Sequence, residues 1–476
     1  MLIRSTRRDL LRYGSLAGAG TLLPGNVLAD PWQRAAEIVR TVRAPVFAPR
    51  VFDIDRFGAK GDGVTLNTAA IAQAIEACAA AGGGRVLVPA GDFLTGAVHL
   101  KSNVELHLVA GATLRFSTDP AHYPMVFTRW EGVELINYSP LVYAYGAKNI
   151  AITGAGTLDG QASAEHWWPW KGPWGGTVEY GWREGMANQR PARARLFQMA
   201  EDRVPVEKRV FGDGHYLRPP FIQPYSCENV LIEGVRIRRS PFWNVHPVLC
   251  RNVILRGLDI MGHGPNNDGT DPESVDMMLI EDCTFDTGDD CIAVNSGRNE
   301  DGRRLGVPSQ NILIRSCRMK EGHGGITVGS QISGGARWIF AEKCQLDSPD
   351  LWYAIRFKNN ALRGGLLENF HYRDIHVGQV SRAAIACDFN YEEGPNGRFT
   401  PVLRNINIER LRADKATRVL DSQGLPGAPV TDIALKDCSF GGVTEPSVIR
   451  HTERVALSNV RVNGRVVRAL DQLAKS

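Results

Sequence analysis

Apolar residues along this chain fall into a short motif that keeps returning. A polar or small residue, most often Asn, is followed by apolar, any, apolar, two free positions, then apolar or Cys, any, apolar. Examples are Asn229-Val-Leu-Ile-Glu-Gly-Val-Arg-Ile237, Asn252-Val-Ile-Leu-Arg-Gly-Leu-Asp-Ile260 and Asn311-Ile-Leu-Ile-Arg-Ser-Cys-Arg-Met319. Further copies begin at Asn149, Met277, Trp338, Asn369, Asn405, Asp432 and Arg454, and after position 229 the spacings run 23, 25, 34, 27, 31, 36, 27 and 22 residues. A period in this range marks a repeat architecture. The units carry short β-rich runs broken by Gly, Asn, Asp and Ser, with no long helical period. That predicts an all-β chain wound as a right-handed parallel β-helix, each strand pairing with its equivalent one coil away around a continuous core.

Before the repeats the pattern differs. Asp30 to Val42 predicts a short helix. Val51 to Gly63 reads as an alternating strand and a Gly-rich turn. Asn67 is a candidate N-cap, its side-chain oxygen available to the first free N–H groups of a helix over Thr68 to Ala81. Ile71, Ile75 and Cys78 line one face of that helix, and Gly82-Gly83-Gly84 stops it. A short N-terminal helix capping the coil is therefore expected. Gln161 to Arg218 does not repeat. It holds Trp167, Trp168, Trp170, Trp174 and Trp182 beside many arginines. An insertion this long and this aromatic is expected to be ordered and functional. Two readings hold together: a wall over a carbohydrate cleft with tryptophan faces for sugar rings, and a small satellite core.

Charge and cysteines refine this. The formal net charge is +4, and +3 of it sits in residues 1–29, where Arg4, Arg7, Arg8 and Arg12 oppose Asp9. The remainder is nearly neutral, without the basic stripe of a nucleic-acid binder. Thr6-Arg7-Arg8-Asp9-Leu10-Leu11, a weakly apolar run to Leu23 and the small residues around Ala29 resemble a twin-arginine export signal. Such a segment is read by a receptor and removed. It implies the twin-arginine export machinery as a partner and a bacterial protein exported to the periplasm or beyond, with residues 30–476 forming one β-helix domain. No other stretch reaches the roughly 18 apolar residues of a membrane span. The nine cysteines show no zinc spacing. Cys283, Cys317, Cys344 and Cys438 share one slot of their repeats and read as buried small hydrophobes, with disulfides as the alternative in an exported chain.

The candidate chemistry lies between Gly264 and Asn360. Counted from the repeat starts, Asp268 lies 17 residues after Arg251, Asp289 and Asp290 lie 13 and 14 after Asp276, and His323 lies 13 after Gln310. Arg356 and Lys358 lie 19 and 21 after Arg337. All are expected on the second strand of their coils or at its edge, converging on one outer face, with Phe357 turned into the core. Three crowded carboxylates repel, so at least one pKa should rise. A protonated acid beside a carboxylate that activates water suits glycoside hydrolysis, and Arg356 and Lys358 suit an anionic sugar.

Gly264-Pro-Asn-Asn-Asp-Gly-Thr-Asp271, Thr287-Gly-Asp-Asp-Cys-Ile-Ala-Val294, Glu321-Gly-His-Gly-Gly-Ile-Thr-Val328 and Ile355-Arg-Phe-Lys358 resemble the signature motifs of the polygalacturonases, glycoside hydrolase family 28. The resemblance spans nearly all of the chain after residue 29. It implies hydrolysis of α-1,4-galacturonosyl bonds of pectin with inversion. Asp289 matches the general acid, and Asp268 and Asp290 match the pair that activates water. His323 matches a residue supporting the acid, and Arg356 and Lys358 match holders of a galacturonate carboxylate. Asn266 belongs to the first motif and counts among the substrate-binding candidates. No metal or cofactor is implied. Two positions depart from the pattern: Asn267 stands where the family has Thr, and Phe357 where it has Ile. The insertion, with Arg129-Trp130-Glu131, is similar to additions that close one cleft end in bacterial exo-acting members. Arg129 and Glu131 are therefore further substrate-binding candidates. The alternatives on the same scaffold are a rhamnogalacturonan or other pectin-backbone hydrolase and a pectate lyase-type enzyme.

Overall fold

The computed structural model describes residues 30–173 and 180–475; the segment read as a twin-arginine signal and Trp174 lie outside that range. The residue that opens each repeat has left-handed backbone. Asn103, Asn149, Asn229, Asn252 and Asn311 have φ between 54° and 65°. Asn tolerates this region because its short amide can bond locally. Here the amides also bond along the coil axis. Asn149 Nδ2 donates to the Asn103 side chain (2.9 Å), Asn229 to Asn149 (2.8 Å) and Asn252 to Asn229 (2.5 Å). The recurring Asn is thus both a corner and a ladder.

Each coil contributes up to three strands. In the central coils these are Asp276–Glu281, Thr284–Thr287 and Ile292–Val294, then Ser309–Arg315, Arg318–Met319 and Gly322–Val328, then Ala336–Glu342, Gln345–Leu346 and Leu351–Lys358. Equivalent strands pair in parallel from coil to coil. One inward slot runs Ile152, Ile232, Leu255, Ile280, Ile314, Ala341, Tyr372, Ile408 and Leu435. All are buried in one core cluster. The fold is the right-handed parallel β-helix expected. All nine cysteines are buried and unpaired. Cys283, Cys317 and Cys344 occupy three consecutive coils, as small hydrophobes would.

Helix α1 (Trp32–Thr41) lies along the flank of the coil. Its Ala35 and Ile38 cover an outward apolar strip of Leu231, Ile254, Leu279, Leu313 and Phe340. Met277 and Trp338 replace Asn at the repeat start under this helix, keep the left-handed backbone (62° and 56°), and pack against it. Helix α2 (Thr68–Ala80) packs on the N-terminal strands of the coil, burying Ile71, Ala74, Ile75 and Cys78. Its cap differs from expectation. The Asn67 side chain makes no capping bond; Oδ1 accepts from Lys60 N–H (2.7 Å), and Nδ2 donates to the carbonyls of Lys60, Thr65 and Leu94. Three carbonyls and the preceding turn outcompete the helix terminus for one amide. At the other end Leu473, on a short final helix, closes the same core.

The regular winding is interrupted twice. Met125–Trp130 and Val133–Tyr138 form an antiparallel hairpin. The insertion adds helix α3 (Arg190–Glu201). Trp130, Val133, Leu135, Ala192, Leu196, Phe242 and Trp243 build a second core between hairpin, α3 and coil. No described helix is long and apolar enough to cross a membrane.

Candidate active site

His323, Arg356 and Lys358 lie on the third strand of their coils, not the second, while Asp289 and Asp290 sit in the turn between Thr284–Thr287 and Ile292–Val294 and Asp268 just before the equivalent bridge at Thr270. The connection into the third strand takes up the variable turn length, which counting from the repeat start cannot see. Thr270, Ile292, Ile326, Ile355 and Ile385 pair across consecutive coils. Two residues before these, Asp268, Asp290, Gly324 and Tyr353 share a row. One residue earlier, Asp289, His323 and Trp352 form a neighbouring row. On the other side Arg356 follows Thr327, and Lys358 follows Gly329, at successive coils. Phe357 points inward, fully buried against Phe370.

Carboxylate oxygens of Asp268, Asp289 and Asp290 come within 4.8 Å of one another. Asp290 is surrounded by donors: Lys358 Nζ at 2.5 Å, Thr327 Oγ1 at 3.0 Å and Arg356 Nη1 at 3.5 Å. Gly324 makes room for this. A Cβ there would stand 2.8 Å from Asp290 Oδ1 and nearer still to Thr327 Oγ1. Asp289 Oδ1 faces His323 Nδ1 at 2.9 Å and accepts the backbone N–H of Asp290 (2.9 Å). Asn266 Nδ2 reaches Asp289 Oδ2 at 3.5 Å. The His323 ring in turn stacks on Trp352, centroids 3.8 Å apart. Asp268 Oδ1 is buried without a protein donor.

These surroundings separate the three acids. Burial, then the charges of Asp289 and Asp290, push Asp268 well above the usual carboxylate range. Burial would also raise Asp289, but His323, Lys358 and Lys171 outweigh it and hold that carboxyl low. Asp268 is thus the member of the crowded trio whose pKa is driven up. Lys358 is buried, yet Asp290 and Tyr391 raise its pKa and keep it a cation. The trio is also where a metal cation would find most carboxylate oxygens, although Lys358 and Arg356 already bring positive charge there. His263, Asp286 and Glu321 form a second such set on the surface, where Lys320 stands 3.6 Å from Asp286.

The acids open into a cavity of about 390 Å³, lined also by Glu131, Lys171, Arg193, Trp243, Gln331 and Tyr391. The insertion forms one wall. Lys171 Nζ bonds Asn266 Oδ1 (2.8 Å), which also accepts from the buried Arg218 (2.9 Å). Burial and the neighbouring Arg218, against the pull of Glu131, take Lys171 down to about 8. Arg193 of α3 bridges Glu131 (2.8 Å) and Glu392 (3.5 Å), joining the wall to the loop that carries Tyr391.

The sequence profile described as glycosyl hydrolases family 28 matches residues 212–453, and one described as rhamnogalacturonase A/epimerase, pectate lyase-like, matches residues 51–113. A solved exopolygalacturonase from Thermotoga maritima is 45% identical, with a TM-score of 0.88 over 91% of this chain and 96% of that one. The chain belongs to glycosyl hydrolases family 28. A probable polygalacturonase of Vitis vinifera is 29% identical over 81% of this chain and 73% of its own length. An exo-poly-alpha-D-galacturonosidase of Dickeya chrysanthemi is 28% identical over 82% and 65%. The molecule is a polygalacturonase-type glycosidase that hydrolyses the pectin backbone.

In this family 28 hydrolase Asp268, Asp289, His323, Arg356, Lys358, Asn266 and Glu131 border the same cavity, and Asp290 lies fully buried behind Arg356 and Lys358. Arg129 does not. Its guanidinium is enclosed, paired with Glu273 (3.0 Å) and Glu134 (3.3 Å), and ties the hairpin to the coil. Along a hairpin strand neighbouring side chains point to opposite sides, so Arg129 and Glu131 share a side only by spacing; the turn at Glu131 (φ 41°) sends them apart. The departure at Asn267 is structural: the amide donates to the carbonyls of Ser240 and Phe242. Three tryptophans of the insertion serve as core and not as sugar platforms. Trp167, Trp168 and Trp170 pack on the coil core, and a Cβ on Gly264 would strike the Trp168 indole. The wall's polar residues, Lys171 and Arg193, face the cavity instead. Lys171, Tyr391 and Trp352 were not singled out by sequence reasoning. The first two lie outside the repeat and carry no spacing signal. Trp352 follows His323 by 29 residues in register, a relation visible only once the third strands are aligned.

Proposed function

We propose that this enzyme removes galacturonate units from an end of polygalacturonate or its oligomers, with inversion at the anomeric carbon. The observation carrying the exo reading is the wall formed by Lys171, Arg193 and Glu131, which leaves a cavity of small-ligand size beside the acids rather than an open groove. The descriptions of the Thermotoga and Dickeya relatives as exo-acting support it. Products followed over time on polygalacturonate test it: one short product from the outset is expected, and early oligomers of mixed length overturn it.

In this reading Asp289 protonates the leaving oxygen, while Asp268 and Asp290 hold and activate water. His323 sustains Asp289 through its 2.9 Å contact, and Arg356 and Lys358 take the carboxylate of the sugar after the scissile bond. In the free site His323, Lys358 and Lys171 together outweigh burial and hold Asp289 low. An anionic sugar that offsets Lys358 and Lys171 weakens part of what holds Asp289 low, with His323 still beside it, and so favours protonation of the acid on binding. The close approach of the acids favours a second outcome, since retaining enzymes have carboxyl groups about 5–5.5 Å apart. Proton NMR of the first-formed anomer decides: the β-anomer marks inversion of an α-linkage, the α-anomer retention. A rise in ultraviolet absorbance without new reducing ends would instead mark a lyase, and preference for rhamnogalacturonan would mark the other family branch.

Residues 1–29 serve in this proposal as a twin-arginine leader, ahead of one catalytic domain over 30–476 that works in the periplasm or outside the cell. Replacing Arg7 and Arg8 by Lys should leave the enzyme in the cytoplasm; unchanged export counts against that route.

A further inference from the structure

The row that contains Asp289 and His323 does not end at Trp352. Tyr353 pairs with Ala383 on the next coil, so the residue in register with Trp352 is Arg382. Its guanidinium lies over the Trp352 ring at 3.7 Å, on an indole that already stacks on His323. Arg382 also lies 5.8 Å from the Tyr353 ring, which receives Arg356 at 5.0 Å. Among the described residues no carboxylate comes within ion-pair reach of Arg382. That sets it apart from its buried counterparts Arg129, Arg209 and Arg363, each matched to acids.

Four consecutive coils thus present carboxylate, imidazole, indole and guanidinium at about 4.8 Å per step. Exposure rises outward: the side chains of Asp289 and His323 are 16% and 22% exposed, Trp352 is partly exposed and Arg382 is open to solvent. The opposite end of the cavity is the insertion wall. A sugar chain anchored at the acids therefore has its way out over Trp352.

We propose that Trp352 and Arg382 form a second leaving-side subsite for a free uronate, one sugar beyond that served by Arg356 and Lys358. The indole edge offers apolar surface to the sugar, and the stacked guanidinium, pre-set in orientation, keeps its N–H groups for the carboxylate. This rests on the pectin-hydrolase reading above. It predicts which oligomers are favoured: those with a uronate two positions past the cleaved bond.

The test compares digalacturonate with trigalacturonate. In Arg382→Gln the KM for trigalacturonate should rise about tenfold more than that for digalacturonate, the size of one lost charge-assisted hydrogen bond. Arg382→Lys should recover only part, because it keeps charge without the fork. Trp352→Phe should retain the preference and Trp352→Ala should lose it. Methyl esterification of the reducing-end sugar should abolish the difference between wild type and Arg382→Gln. Equal effects on both oligomers, or none, overturn the subsite and leave Trp352 as a prop for His323. Calorimetric binding of the two oligomers to the Asp289→Asn protein repeats the comparison without turnover. A wild-type enzyme that cleaves neither oligomer defeats the hydrolase reading, while the binding arm still decides the subsite.

Discussion

Asp268 and Asp289 stand next to each other and are driven in opposite directions. Asp268 is buried against two like charges, so its folded pKa is raised above the unfolded value of about 3.9. Its stabilising proton is fully bound in both states below about pH 4, and the fold loses stability as pH rises from there through the folded pKa. Asp268→Asn removes that loss. At pH 7 the variant should unfold some degrees higher than wild type, on the order of 1–2 kcal/mol, and activity should fall by about 10²–10⁴-fold. The stability gain should vanish near pH 3, which thermal melts at both pH values check. Asp289 gives a kinetic prediction. His323, then Lys358 and Lys171, hold it low in the free enzyme, and a bound uronate offsets the two lysines. A group needed in its protonated form sets the alkaline limb. The limb of kcat, reporting the complex, should therefore lie at higher pH than that of kcat/KM, reporting the free enzyme. Coincident limbs would show that the substrate does not load the acid.

At the scale of elements, site and scaffold meet in the third strand. Gly322–Val328 must pass Asp290 without a side chain at Gly324. Gly324→Ala should displace Thr327 or Asp290, lowering kcat far more than the melting temperature. A melting loss of the same standing as the activity loss would mean that the strand, not the acid, had moved. Helix α1 shows the reverse case, an element without a part in the chemistry. It covers Leu231, Ile254, Leu279, Leu313 and Phe340. Removing residues 30–42 should expose this strip and promote association in light scattering while the fraction that remains folded keeps its kcat. Much of both elements was legible in the sequence. Ile71, Ile75 and Cys78 marked α2 by spacing, and Phe357 between Arg356 and Lys358 marked a half-buried strand. The Asn67 cap and the facing of Arg129 were not legible, because each depended on which buried group competed for the side chain.

Over the whole molecule, one inward slot carries apolar residues from Ile152 to Leu435 and one left-handed corner most often carries Asn, while the turns between strands vary in length. The nine thiols lie inside this stack. A thiol reagent should label none of them in the native enzyme and all nine after denaturation, with a melting temperature indifferent to reductant. Native labelling below nine that denaturation fails to complete would restore the disulfide alternative.

The sequence alone determined the coil, because a left-handed corner and an inward stack each demand a residue type at a fixed interval, and that demand is written once per repeat. It also determined the ionisable groups, since Asp268, Asp289, Asp290, His323, Arg356 and Lys358 stand out against an apolar period. Tertiary structure alone decided their place on each coil, the opposite pKa shifts of Asp268 and Asp289, and the shape of the cavity. Turn lengths vary between coils, burial is a property of neighbours, and the wall of Lys171, Arg193 and Glu131 joins segments that share no repeat. The row from Asp289 to Arg382 combines both: its residues are spaced 34, 29 and 30 apart in the chain and become adjacent only through strand pairing.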